Sequence, residues 1–182
     1  MREIALHIMD IAENGITAGA ACVHILVHEA RSENWLKIEI RDDGEGIPSD
    51  MLNKVTDPFV TARTTRRVGL GLSLLKTAAE RCEGDFAILS EPGKGTRITA
   101  TFRYDHIDRA PIGDMAGSVS MLIMGNPDVD FVYTHTVDAS IFTMDTREIR
   151  RELGEDTLAD PSVIIQLTQS IRKKVFELRS EK

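Results

Sequence analysis

Two alternating runs constrain this chain more than any other feature. Val23, Ile25 and Val27 share one side of an extended stretch over 22–28, and Leu36, Ile38 and Ile40 do the same over 35–41. The polar linker between them, EARSEN, is short, so the two strands form a plausible hairpin with one apolar face that must be covered. The cover lies nearby in sequence. Upstream, Ile4, Ala5, Ile8, Met9, Ile11 and Ala12 recur at helical spacing, with Gly15 or Gly19 placed to end or bend the helix. Downstream, Leu70, Leu74, Leu75, Ala78 and Ala79 repeat that spacing until Gly84, and a short helical segment is expected around 49–55. Stretches 86–90 and 97–104 read as two more strands flanking the turn EPGKG. The expected class is α+β, a two-layer α/β sandwich in which helices cover one face of a mixed sheet.

The remainder reads differently. Residues 105–114, with Pro111 and Gly113, form a connector; 115–124, 131–135 and 139–144 are expected as strands. Residues 146–153 and 161–179 are expected as helices, the second opened by Asp160 as cap with Pro161 in its first turn. The expected division is 1–104 as one domain and 105–182 as a small α+β extension, either continuing the first sheet or forming a partner-recognition module. The stripe in IIQLTQSIRKKVFEL packs on that sheet or mediates self-association, which leaves a homodimer open.

Charge and composition remove several classes. A formal charge of −7 and a pI near 5.3 argue against a nucleic-acid-binding surface while allowing a local basic pocket. Cys22 and Cys82 lack metal-ligand spacing or a disulfide framework and read as ordinary thiols. No stretch approaches a membrane span, and the first residues lack the apolar core of a signal peptide, so a cytoplasmic protein is the expectation. Asp128, Asp130, Asp138 and Asp145 read as strand edges or solvent-facing positions rather than metal ligands.

Four polar stretches, 10–14, 42–46, 61–72 and the glycine turn 93–96, carry chemistry. Asp10 and Asn14 sit one turn apart on the first helix; an Asn carbonyl suits a Mg2+ shell, and a carboxylate one turn earlier suits proton acceptance or water orientation. Each residue alone would more often be a solvated helix position. DDGEG follows a strand directly, so Asp42 could accept an exocyclic amine while Gly44 and Gly46 allow close backbone approach, and Ile47-Pro48 adds an apolar wall. Arg63, Arg66 and Arg67 form a basic cluster before Gly69, Gly71 and Leu72, where a loop becomes a helix whose N–H groups, with Ser73, suit phosphate. Neither a Walker A run nor a GxGxxG fingerprint occurs at such a junction.

Taken together, DIAENGITAGA, DDGEGIP, DPFVTAR, GLGLSLLK and EPGKGT resemble, in order, the boxes of one ATP-binding domain. That domain is shared by sensor histidine kinases, type II topoisomerases, heat-shock chaperones of the 90-kDa class and mismatch-repair ATPases. Its fold is the Bergerat-type sandwich, and its cofactors are ATP and Mg2+. The resemblance implies Asn14 as metal ligand, Asp42 as the adenine-recognising carboxylate with Gly44 and Gly46 beside it, and Thr96 as a hydroxyl fixing the base through water. It implies Phe59 as the anchor of a lid, Arg63 and Arg67 near the phosphates, and Gly69, Leu70, Gly71 and Leu72 as the phosphate-facing turn.

Three positions depart from the kinase pattern. Arg67 stands where the first glycine of GTGLGL is usual, Thr17-Ala18-Gly19-Ala20 resembles the turn of mismatch-repair ATPases, and Asp10 stands where hydrolysing members carry Glu. The shorter side chain of Asp10 would fall about 1 Å short of a water, a displacement that costs roughly 100-fold in rate. The first box lies close to Met1, which leaves no upstream acceptor domain in the sequence at hand, and His7, His24, His28, His106 and His135 lack acceptor context. The expectation is therefore a stand-alone regulatory kinase-like subunit that phosphorylates a separate protein partner on His or Ser/Thr, with Asp10 catalytic. The alternatives are a slow ATPase or nucleotide switch, and ATP sensing without chemistry.

Overall fold

A computed structural model describes residues 3–52, 55 and 71–180. Its first helix, α1 (Ile4–Thr17), buries Ile4, Ala5, Ile8, Ile11 and Ala12, the positions with helical apolar spacing. The chain continues through Gly15 and leaves the helix at Ala18; Gly19 then turns it with a positive φ of 78°. The alternating runs form β1 (Cys22–Ala30) and β2 (Trp35–Asp42), an antiparallel pair in which Ile25 faces Ile40 and Val27 faces Ile38. After α2 (Ser49–Leu52), helix α3 (Gly71–Arg81) buries Leu72, Leu75 and Ala79, and β3 (Phe86–Glu91) and β4 (Gly95–Arg103) follow.

The stretch expected as a strand over 115–124 is instead helix α4 (Met115–Gly125). Its exposed side carries Met121 and Met124, which are as apolar as the buried side, so the run MAGSVSMLIM shows little amphipathic period to distinguish it from a core strand. The overlooked signal was the cap: the Asp114 carboxylate accepts the Gly117 N–H at 3.1 Å. The expected strands over 131–135 and 139–144 are present as β5 (Asp130–Val137) and β6 (Ser140–Asp145). Then come α5 (Thr146–Leu153), a 3-10 turn (Glu155–Ala159) and α6 (Pro161–Ser180), with Asp160 accepting the Ser162 N–H at 2.8 Å.

All six strands form one mixed sheet in the order β3-β4-β2-β1-β5-β6. β5 runs parallel to β1, so the C-terminal strands continue the first sheet. Helices α1, α3, α4 and α6 cover one face, with Leu36, Ile38, Phe102, Phe131 and Tyr133 fully buried beneath them. Ile164, Ile171 and Leu178 give α6 its buried stripe against α4 and the sheet. Among the described residues, no helix is long and apolar enough to cross a membrane.

A buried polar cluster ties this extension to the hairpin. Glu29 on β1 accepts from Tyr104 Oη at 2.7 Å and Arg179 Nε at 2.6 Å, and His135 Nε2 lies 2.8 Å away. Burial opposes the charge on Glu29, but hydrogen bonds from His135, Arg179 and Tyr104 outweigh it and hold the carboxyl far below the usual range. Burial lowers the pKa of His135, which fits a neutral ring donating from Nε2 to Glu29 and accepting at Nδ1 from Tyr133 Oη, 2.6 Å away. Three of the four C-terminal aspartates also have structural partners. Asp138 accepts from Ser32 N–H and Oγ, Asp145 accepts the Arg147 N–H at the start of α5, and Asp130 pairs with Arg150.

Candidate functional site

Asp42 ends β2 with its side chain on the helix-covered face, where it is only 7% exposed. Close approach to α1 makes this possible: a Cβ at Gly15 would stand 2.8 Å from the Cβ of Asp42. Gly15, in the last turn of α1, is therefore a clearance position rather than the helix end itself. One carboxylate oxygen accepts the Gly44 N–H at 3.0 Å, and the Thr96 N–H also donates to the group. Burial raises the Asp42 pKa above the ordinary carboxylate range; these two backbone bonds oppose the rise and the charge of Asp43 adds to it.

The loop after Asp42 is pinned to the end of α1. Asp43 Oδ1 accepts from the N–H groups of Ala21 and Cys22 at 2.8 and 2.9 Å, and Glu45 N–H donates to Ala18 O at 2.9 Å. Gly46 has φ of 70°, and a Cβ there would lie 2.2 Å from Glu91 O, so the turn can close against the end of β3 only with glycine. On the next strands Ser90 Oγ accepts the Ile47 N–H at 2.7 Å, donates to Gly95 O at 3.0 Å and lies 2.8 Å from Thr96 Oγ1. The motifs DDGEGIP and EPGKGT thus form a single hydrogen-bonded wall.

These elements enclose a cavity of about 250 Å³ lined by Ile11, Asn14, Gly15, Thr17, Ala18, Asp42, Gly46, Ile47, Leu72, Thr96 and Ile98. Five residues singled out in the sequence, Asn14, Asp42, Gly46, Leu72 and Thr96, converge on it. Gly44 stands one shell outside, holding Asp42. Asn14 faces the cavity from α1, and its buried Nδ2 has no hydrogen-bond partner among the described residues. An amide with one unpartnered end can present either its nitrogen or, after a flip, its oxygen to a ligand. Asp10 lies one turn earlier, with its carboxylate pressed against the first residue of α3: a Cβ at Gly71 would come within 1.9 Å of Asp10 Oδ2. Phe59, Arg63, Arg67, Gly69 and Leu70 lie outside the described residues.

Sequence reasoning missed Ile11, Thr17, Ile98 and Ser90 as parts of this site. Ile11 was visible only as a core position, and Ile98 and Ser90 only as parts of strands. His7, set aside as a phosphate acceptor, is buried on α1, and burial lowers its pKa.

The arrangement offers a buried acceptor in a mainly aliphatic slot, beside a helix N-terminus. The family described as histidine kinase-, DNA gyrase B-, and HSP90-like ATPase matches residues 2–106. The sensor histidine kinase RcsC of Salmonella typhimurium is 25% identical over 150 residues, covering 78% of this chain and 15% of that kinase. An uncharacterized sensor-like histidine kinase of Rhizobium meliloti is 42% identical over 86 residues, 44% of this chain and 16% of that kinase. Sporulation kinase A of Bacillus subtilis is 28% identical over 102 residues, 56% of this chain and again 16% of the kinase. The match therefore spans 15–16% of the length of these curated relatives. Among solved structures, the Aquifex aeolicus MutL ATPase domain complexed with ADP aligns with a TM-score of 0.50 at 12% identity, covering 85% of this chain and 68% of that one. That likeness concerns the fold alone. With the family matched across most of the chain and its fold reproduced, this chain belongs to the histidine kinase-, DNA gyrase B- and HSP90-like ATPases and carries their ATP-binding domain.

Proposed function

We propose that the chain binds ATP with Mg2+ and transfers the γ-phosphate to a separate protein partner, as a histidine- or serine-kinase-like signal-transduction subunit of the cytoplasm. The observation that carries this reading is the convergence of Asp42 and Asn14 on one aliphatic cavity beside the start of α3. Asp42 accepts the exocyclic amine of adenine, oriented by the Gly44 and Thr96 N–H groups. Ile11, Ala18, Ile47, Leu72 and Ile98 sandwich the base, and the paired hydroxyls of Thr96 and Ser90 hold a water against it. The unpartnered amide end of Asn14 suits a hard cation bound through oxygen. Mg2+, when bound, neutralises phosphate charge. By the family resemblance, the turn Gly69, Leu70, Gly71 and Leu72 would supply backbone N–H groups to the phosphates, and Arg63 and Arg67, in the lid sequence with Phe59, would add charge.

In the transfer step a nucleophilic nitrogen or oxygen of the partner attacks the γ-phosphorus. The bond to the bridging oxygen breaks, ADP leaves with the electron pair, and the nucleophile's proton passes to Asp10 or to a base of the partner. One observation favours a second reading, a slow ATPase or ATP-driven switch. The Asp10 carboxylate abuts Gly71, the first described residue after the lid sequence, so movement of that junction reaches the candidate base directly.

Incubation with ATP labelled in the γ-phosphate separates these readings. Label appearing on a co-incubated protein partner supports transfer. Partner-independent phosphate release that D10N abolishes while ATP binding persists supports the ATPase instead. Release undiminished in D10N would overturn the assignment of Asp10.

A further inference from the structure

Among the described residues, helices cover one face of the sheet and leave the other open. Strand register aligns Leu89, Arg97, Arg41, His24, Val132 and Asp145 in one row across that open face, alternating along their strands with Asp42 and Thr96 on the buried side, and Asp145 is already paired with Arg147. Lys37 and Glu39 share the open face of β2 with Arg41. Glu39 is the acidic member at the centre, 3.1 Å from Lys37 Nζ and 3.7 Å from Arg97 Nε. Arg41 has no ion pair or hydrogen-bond partner among the described residues. Like charges directly opposite on adjacent strands are unfavourable, yet Arg41 faces Arg97 in a chain whose net charge is −7. The row borders a shallow depression of about 170 Å³ that also includes Leu26 and Thr134.

We infer that the open sheet face around Arg97, Arg41, Lys37 and His24 docks an acidic segment of a partner protein. Its carboxylates pair with the cations, and its apolar side chains lie on Leu89, Leu26 and Val132. Charge complementarity selects this occupant. A long polyanion such as nucleic acid extends beyond the patch into the field of an acidic protein, and a second copy would bring another net charge of −7. A short segment within about 8 Å of the arginines meets mainly their field. The face lies across the sheet from the nucleotide cavity, so this interaction goes beyond phosphate transfer and does not depend on it.

The test uses the full chain and a synthetic twelve-residue peptide alternating Asp or Glu with Leu, in low salt. Titration is followed by the His24 ring resonances, since that ring faces Arg41, Arg147, Asp145 and Asp43. Burial, then Arg147 and Arg41, lower its pKa, so arriving carboxylates should raise it. R41S/R97S, and independently K37E, should weaken peptide binding at least tenfold while ATP binding persists. Unchanged affinity in both variants, or saturation without a His24 response, would overturn the docking site. Tighter binding of a single-stranded DNA oligonucleotide at the same residues, or concentration-dependent self-association of the chain alone that R41S/R97S abolishes, would overturn the assigned partner.

Discussion

Asp42 meets opposed demands: it must be buried to face the cavity and ionised to accept most strongly from a base. Its folded pKa is raised, so between the ordinary and raised values the folded chain holds a proton that the unfolded chain has released. Its contribution therefore favours folding at low pH and is lost as pH rises through the raised value. ATP affinity should run the other way, falling as pH drops through that same range. D42N should remove both dependences and lower ATP affinity by about 10- to 100-fold, the loss of a charged acceptor; calorimetric titration at several pH values reads this directly. G15A provides a steric counterpart. Alanine improves helix propensity by roughly 1 kcal/mol, but its Cβ would collide with Asp42. ATP affinity should fall even if thermal stability rises.

At the level of elements, the alternating strands and the helices α1, α3 and α6 were legible because one apolar face gives each a clear period. Helix α4 was not, since its exposed side carries Met121 and Met124 and its sequence is therefore apolar all round, like a core strand. The nucleotide-side residues were legible as motifs, but the clearance role of Gly15 depends on the approach of α1 to β2, which is tertiary. The Glu29 cluster was equally hidden, because its members come from β1, the turn after β4, β5 and α6. R179A removes a partner of a carboxylate that is 1% exposed. It should cost about 1–3 kcal/mol in urea denaturation, moderated by Tyr104, His135 and Arg31 remaining in place. Because the Glu29 pKa is depressed, the stability it contributes is present above the ordinary carboxylate pKa and is lost as pH falls through the depressed value.

On the scale of the whole molecule, residues after 105 complete the same sheet that holds the nucleotide cavity. Removing them would turn β1, now paired on both sides, into an edge and uncover the α1 face that meets α4. A chain ending near Asp105 should therefore lose cooperative unfolding and ATP binding together. The most direct test of the account is equilibrium binding of ATP to the full chain with and without Mg2+, compared with N14A. The account predicts saturable binding strengthened by Mg2+ in the parent and loss of that strengthening in N14A. No ATP binding by the folded parent, or the same Mg2+ dependence in N14A, would contradict it.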